Sequence, residues 1–314
     1  MEPAITVRRL TKRYPHSHGP AALEDVSLTI PPGTVYGLIG RNGAGKTTFV
    51  RICGTQLAAT SGEVRVLGLD ALHDPRAVRP RIAAVPQESR PVYWVRTWEL
   101  VYTYLRVRGM DRSVARERTD TILDVLQLND VRNVQVNRLS GGTRRRAMVA
   151  MVLASDAEVV FLDEPTTGLD PIARREVWGA IRGAKLENRT VILTTHYLDE
   201  AEELSARLAL LEGGHVVLEG TPSDLRAQVP QPFRVTVDSG LGREELEPFG
   251  TVSDIEGGHL VFAREKDAQE LALLALNRGV RVSLAPISLE DIFLKVVGRP
   301  IDADEPALPS EASA

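Results

Sequence analysis

The sequence predicts an α/β fold: a parallel sheet covered by helices on both faces, a helical segment inserted into it, and a small α+β domain after it. Three observations predict this. Residues 35–39, 159–162 and 191–195 are nearly continuous apolar runs, the pattern of strands buried on both faces. Helical stretches at 172–185 and 199–206 alternate with the last two. The composition then changes at Gly220-Thr221-Pro222, and short strand-like and helix-like segments follow.

Taken in order, residues 5–7 and 26–30 alternate with period two, as half-buried strands do, and Pro31-Pro32-Gly33 turns the chain into the 35–39 strand. A glycine-rich loop follows, and residues 46–53 read as a helix. From 96 to 127 the pattern is helical and charged, with Leu100, Tyr104 and Val107 on one stripe and Ile122, Leu123 and Leu126 on a second, which predicts a helical subdomain over about 88–150. Beyond 220, residues 233–237, 260–263 and 280–284 look like strands, and 267–276 and 289–297 like helices. The expected organisation is a catalytic domain at 1–220, an accessory domain at 221–299 and a disordered acidic tail at 300–314.

Composition narrows the function classes. Thirty-eight basic against 42 acidic residues leave a net charge of -4, so no basic excess points to nucleic acid. The one cysteine, Cys53, has no internal disulfide partner, which suits a reducing cytosol, and its place in the apolar 46–53 helix reads as a packed thiol. The N-terminal residues have no apolar core of the secretory kind. The longest candidate span, residues 147–162, is interrupted by Asp156 and Glu158, whereas a bilayer helix needs about 20 mostly apolar residues. This chain is therefore expected not to cross a membrane itself.

The chemistry lies in six ordered segments. Gly40-Arg41-Asn42-Gly43-Ala44-Gly45-Lys46-Thr47-Thr48 fits G-x-x-x-x-G-K-[ST], and it stands between a strand and a helix as a phosphate loop must. Gly43, Ala44 and Gly45 leave the backbone N–H groups from Asn42 to Thr47 accessible to an anion, Lys46 supplies charge for the β- and γ-phosphates, and the Thr47 hydroxyl is a ligand for Mg²⁺. Gln87 follows the apolar 82–86 stretch, and its amide both accepts and donates hydrogen bonds. Leu139-Ser140-Gly141-Gly142 exposes a serine hydroxyl and N–H groups at a helix start, a second anion-binding arrangement. Asp163-Glu164 ends the 159–162 run, at the sheet edge where ligands bind in open α/β sheets. Gly168-Leu169-Asp170 and His196, just past the 191–195 strand, complete the set. Arg144-Arg145-Arg146 is read as making local contacts at a helix start in preference to a nucleic-acid patch, and His16 and His18 lack a third ligand for a metal site.

This ordered set resembles the nucleotide-binding subunit of ATP-binding-cassette (ABC) transporters, over roughly residues 5–221. The resemblance implies a P-loop NTPase core of ABC type that hydrolyses ATP with Mg²⁺. It implies that Asp163 holds Mg²⁺, that Glu164 is the general base, that Gln87 senses Mg²⁺ or the γ-phosphate, and that His196 is the switch histidine. It further implies head-to-tail homodimers, in which Ser140, Gly141 and Gly142 close on the partner's ATP and Asp170 lies at the interface. Tyr14 occupies the adenine-stacking place, although residues 15–20 lengthen the loop beyond it. Two positions depart from the family pattern: Arg41 stands where proline is common, and Thr143 where Gln, Met or Glu is usual.

Leu289-Glu290-Asp291-Ile292-Phe293-Leu294 and Gly298-Arg299 resemble the C-terminal segment of daunorubicin-type drug-resistance exporter ATPases. The expectation is thus an ATPase on the cytoplasmic face of the cell membrane that powers export through a separate permease chain, without nucleic acid. An importer ATPase or a soluble, non-transport cassette ATPase would carry the same motifs. A DNA-repair ATPase would need long coiled coils between Lys46 and Ser140, and the gap is too short for them. Tyr93, Trp94 and Trp98 read equally as an anchor for the inserted helices and as a groove for a helix of the membrane partner. The C-terminal domain is expected to assist docking or assembly.

Overall fold

The three apolar runs stand at the centre of one sheet in the computed structural model, which describes residues 2–15, 19–85, 94–255 and 257–297. The chain divides into two units, Met1–Glu219 and Gly220–Ala314. In the first, a six-stranded sheet runs in the order His215–Gly220, Arg207–Glu212, Val35–Ile39, Thr190–Thr195, Val159–Asp163, Ile82–Val85. The five strands from Arg207–Glu212 to Ile82–Val85 pair in parallel. Val35–Ile39, Val159–Asp163 and Thr190–Thr195 are buried at every position, which is why their sequences do not alternate.

Alternate residues of these strands feed two cores. Val160, Leu162, Val191 and Leu193 pack with Val149, Val177 and Ile181, residues of the helices Gly141–Leu153 and Pro171–Leu186. Val159, Phe161, Ile192, Tyr36 and Leu38 pack on the opposite face with Phe49 and Ile52 of the helix Lys46–Cys53. That second core also takes Ile5, Leu10, Val26 and Leu28 from an antiparallel sheet ordered Leu23–Ile30, Ile5–Lys12, Ser61–Val66, Leu69–Asp70. Each fully buried side chain of this size contributes about 1.5–3 kcal/mol relative to exposure. The edge strand His215–Gly220 is joined to its neighbour Arg207–Glu212 by Gly213-Gly214 at φ 54° and 82°, the left-handed pair that a tight two-residue turn needs.

The helical region 96–127 is two helices, Thr97–Val107 and Arg112–Val125, broken at Gly109. Both pack against Gly141–Leu153, which runs on past residue 150 to touch the parallel sheet as well. The apolar stretch 147–162 divides into the end of that helix and the strand Val159–Asp163. No helix among the described residues is long and apolar enough to cross a membrane.

The second unit holds a four-stranded antiparallel sheet, ordered Gly250–Ile255, Gly258–Ala263, Phe233–Asp238, Val282–Pro286. Helix Glu265–Asn277 packs on it through Ala268, Leu271 and Ala275 against Val235, Val237 and Val261. The last strand lies two residues later than the 280–284 run suggests. Helix Leu289–Val297 packs on the short helix Pro222–Ala227, with Leu289, Ile292 and Phe293 buried. Gly298-Arg299 and the 300–314 tail lie outside the described residues.

Candidate active site

Strand register brings the sequence motifs together. Ile39 pairs with Thr195, and Asp163 with Thr194, so the chain leaves three adjacent parallel strands at one level of the sheet edge. The Gly40–Thr48 loop, Glu164 and His196 are the first residues beyond those ends.

The loop curls into the helix Lys46–Cys53 through Gly45, whose φ of 107° is left-handed and where a Cβ would lie 2.4 Å from the Ala22 carbonyl oxygen. No side chain caps this helix, so its N-terminal end faces a cleft of about 140 Å³ lined by Ala22, residues 41–48 and Glu164. An uncapped helix start beside open backbone is an anion site. Lys46 is buried, its Nζ donating to the carbonyls of Gly40 (2.6 Å) and Arg41 (3.1 Å), with Glu164 Oε1 at 3.7 Å. Burial holds its pKa below the ordinary lysine value, against the pull of Glu164 and Asp163.

The carboxylates differ in their commitments. Asp163 is buried, and its Oδ1 accepts from the Thr194 hydroxyl and, at 3.3 Å, from Thr47 Oγ1. Its Oδ2 is buried without a hydrogen-bond partner. A hydroxyl and a carboxylate with an uncommitted oxygen, next to a phosphate loop, make the hard oxygen donor set that suits Mg²⁺. No group of three acidic, histidine or cysteine side chains able to hold a metal occurs among the described residues, so phosphate and water oxygens would complete the shell.

Glu164 sits at φ 50°, left-handed for a residue with a side chain, and is held there by its N–H donating to both the carbonyl (3.1 Å) and hydroxyl (3.0 Å) of Thr194. Such a conformation costs about 1–3 kcal/mol and persists only where its surroundings enforce it. Its Oε2 accepts from Thr167 Oγ1 at 3.2 Å, and His196 Nδ1 lies 3.3 Å from Oε1 in ion-pairing range but off the line of a hydrogen bond. Burial pushes its pKa up, yet His196, Lys46 and Thr167 outweigh that and hold the carboxyl below its ordinary value. It is therefore a carboxylate near neutral pH.

Not every expected site residue lines this cleft. Ser140 caps the helix Gly141–Leu153, its Oγ accepting from Thr143 N at 3.2 Å, and neither Ser140, Gly141 nor Gly142 lines the phosphate-loop cleft. Asp170 caps the helix Pro171–Leu186 by accepting from Ile172 and Ala173 N, both at 3.0 Å, which holds its pKa low. Tyr14, 41% exposed, reaches Thr48 Oγ1 with its hydroxyl at 3.2 Å. Gln87, Tyr93, His16 and His18 fall outside the described residues. Of the remaining aromatics, Trp98 stacks on Tyr102 and donates to Asp120, whereas Trp94 is 77% exposed. Cys53 is buried, and burial pushes its thiol pKa up, so it is unreactive.

Two supports are absent from the sequence reading. Thr194 ties Asp163 and Glu164 together, and it looked like an ordinary strand residue. Arg145 donates to the carbonyl oxygens of both Asp163 and Glu164. The neighbouring Arg144 bonds the Val136 and Leu139 carbonyls, and Arg146 bonds Glu176 and the Leu126 carbonyl. Each of the three arginines is thus engaged within its own chain.

The chain is similar to known proteins over most of its length. Residues 23–167 match the family model described as "ABC transporter". The chain is 35% identical over 287 residues to the Nod factor export ATP-binding protein I of Rhizobium etli, covering 90% of each. It is 39% identical over 308 residues to the daunorubicin resistance ATP-binding protein DrrA3 of Streptomyces coeruleorubidus, covering 94% of this chain and 96% of that one. Among solved structures, a dimeric post-hydrolysis state of an ATP-binding cassette bound to ADP and phosphate superposes with a TM-score of 0.64 at 25% identity. That match covers 69% of this chain and 98% of the other.

Proposed function

We propose, because this chain belongs to the ABC transporter family, that its ATPase activity powers export through a separate integral membrane permease. The chain is a nucleotide-binding ATP hydrolase of the ABC type. The observation that carries the mechanism is the convergence of Lys46, Thr47, Asp163, Glu164 and His196 on one edge of the parallel sheet.

Backbone N–H groups from Asn42 to Thr47 and the uncapped helix start bind the nucleotide phosphates, with Lys46 neutralising the β- and γ-phosphates. Thr47 and Asp163, with Gln87, would hold Mg²⁺, which would supply charge neutralisation on the phosphate oxygens. Glu164, ionised and within reach of the cleft, accepts the proton of the attacking water. His196 donates to the γ-phosphate when nucleotide fills the cleft. Tyr14, anchored to Thr48, stacks on adenine.

Ser140, Gly141 and Gly142 do not line this chain's own cleft, and this supports their acting on the nucleotide of a second copy, with Asp170 at the shared interface. Two copies closing on two ATP molecules then shift the permease between inward- and outward-facing states, because nucleotide binds the closed dimer more tightly. The export assignment rests on the relatives, whose names describe Nod factor export and daunorubicin resistance. The protein accordingly works on the cytoplasmic face of the cell membrane.

Affinity purification of Glu164→Gln from detergent-solubilised host membranes tests this, with co-purifying proteins identified by mass spectrometry. A multi-spanning membrane protein at near-equal stoichiometry is expected. A soluble or ribosomal partner, with nothing from the membrane, ends the transport reading and leaves the ATPase assignment standing.

A further inference from the structure

One buried acid has no part in the chemistry above. Glu200 lies in the helix Leu198–Leu204 and is fully buried, whereas its neighbour Asp199 is exposed. Leu198, Ala201 and Leu204 already provide that helix with an apolar face. A carboxyl at such a position is costly, and an apolar side chain would pack there at less expense unless the polar group does something.

Its contacts indicate what. Glu200 Oε1 accepts from Thr166 Oγ1 at 2.8 Å and from Trp178 Nε1 at 2.9 Å, whereas its Oε2 is buried without a hydrogen-bond partner. Thr166 lies two residues after Glu164, and the adjacent Thr167 donates to the Glu164 carboxylate. Thr195 immediately precedes His196, and its hydroxyl accepts from Tyr197 N at 2.9 Å. The Tyr197 ring lies 4.1 Å from that of His196, tilted at 41°, and the Arg174 guanidinium lies 4.5 Å from the Tyr197 ring. Burial pushes the Glu200 pKa up, so the carboxyl is held towards its neutral form.

We propose that Glu200 is a positioning residue: its carboxyl clamps the segment after Glu164 to the helix that follows His196, and so fixes base and histidine relative to each other across two loops. This rests on the assignment of Glu164 as base and His196 as phosphate donor. The physical need is specific. Glu164 holds a strained left-handed backbone, and a tether on the far side of Pro165 adds to the hold of Thr194 and Arg145 in keeping the turn from relaxing and moving the carboxylate. A base displaced by as little as about 1 Å loses about 100-fold in rate.

The test uses the full-length protein and four variants, measuring ATP affinity by equilibrium binding and kcat by phosphate release. Glu200→Ala and Thr166→Val are expected to lower kcat by about 10- to 100-fold, the cost of one or two buried hydrogen bonds, with ATP affinity within about twofold of the parent. Glu200→Gln, which keeps an acceptor at Oε1 and is neutral like the protonated acid, is expected to restore kcat to within a few fold. Thr166→Val removes one hydroxyl without opening a cavity and guards against Glu200→Ala failing to fold. Unchanged kcat in Thr166→Val overturns the proposal, as does loss of ATP affinity in step with kcat. Glu164→Gln separates the two readings. If it hydrolyses ATP normally, the assignment of the base fails; if it is inactive while Thr166→Val is fully active, only the role of Glu200 fails.

Discussion

Each unit of the chain contains a buried carboxylate beside a basic side chain, and the two are built in opposite ways. In the C-terminal unit Asp291 is saturated: Oδ2 accepts from Ser288 N (2.8 Å) and Oγ (2.9 Å), Asp291 N donates back to Ser288 Oγ (3.2 Å), and Arg234 lies 3.4 Å away. This reciprocal pair is a capping box for the helix Leu289–Val297. At the sheet edge of the first unit, Asp163 Oδ2 and His196 Nδ1 are buried without hydrogen bonds, and Glu164 stands on strained backbone. Buried polar groups are normally satisfied. A saturated pair stabilises structure, whereas an arrangement with uncommitted atoms and a strained hinge is kept for a ligand that completes it.

The largest effect that would break this contrast is in the cleft. Glu164→Gln is expected to lose about 10²- to 10⁴-fold in hydrolysis, the usual worth of a general base, while still binding ATP and dimerising with it. Phosphate release and size-exclusion chromatography with ATP check both halves, and normal turnover would refute the base. Lys46→Ala should weaken nucleotide binding about 10- to 100-fold, as removal of a charged hydrogen-bond donor does; unchanged affinity by titration would overturn its role.

On the saturated side, Asp291→Ala is expected to destabilise the protein by about 1–2 kcal/mol, the scale of a lost helix cap, with kcat unaffected. Chemical denaturation followed alongside hydrolysis decides this, and a lost activity with intact stability would reverse the distinction. Smallest is a pH effect at Glu200, whose pKa lies above the ordinary 4.5 because burial outweighs its hydrogen bonds, among them those from Thr166 and Trp178, and the charge of Arg174. A raised acid means the folded state holds its proton more tightly, so its contribution is fully present below the unfolded pKa and is lost as pH rises through the folded one. Wild type should therefore lose stability relative to Glu200→Gln as pH climbs above 4.5, by less than about 1.4 kcal/mol per pH unit. Parallel denaturation profiles across that range would contradict it.

How much was legible follows from the physics of each element. The central strands could be read because burial on both faces leaves unbroken runs such as Val159-Val160-Phe161-Leu162. Ser61–Val66 escaped notice because only Val64 and Val66 are buried in a strand otherwise glycine, charge and serine. Arg207–Glu212 was missed although its middle is apolar, since nothing in the sequence says that Tyr36–Ile39 pairs with it. In the second unit, the Leu-Glu-Asp-Ile-Phe segment was noticed as a resemblance, and the structure gives its reason: Leu289, Ile292 and Phe293 are the buried stripe, and Asp291 completes the cap begun by Ser288. Arg145 was read as making local contacts, but its target, the carbonyls that carry the two carboxylates, lies 18 and 19 residues away. Glu200 gave no signal at all, being one acid among Asp199, Glu202 and Glu203.

What the sequence by itself determined about this protein is the chemistry at each motif and the strand or helix that carries it. Those depend on short-range matters: which residues are small enough for a phosphate to approach, which side chains ionise, and which hydrophobic period a segment follows. Only the tertiary structure decided which motifs share a cleft, which atoms remain uncommitted, and which of several identical residue types is buried. Parallel register set Asp163 beside Thr194 and Ile39 beside Thr195, and that alignment placed the phosphate loop, Glu164 and His196 together. The alignment depends on pairing between segments as far apart in the chain as Ile39 and Thr195, and no local pattern along the chain encodes it.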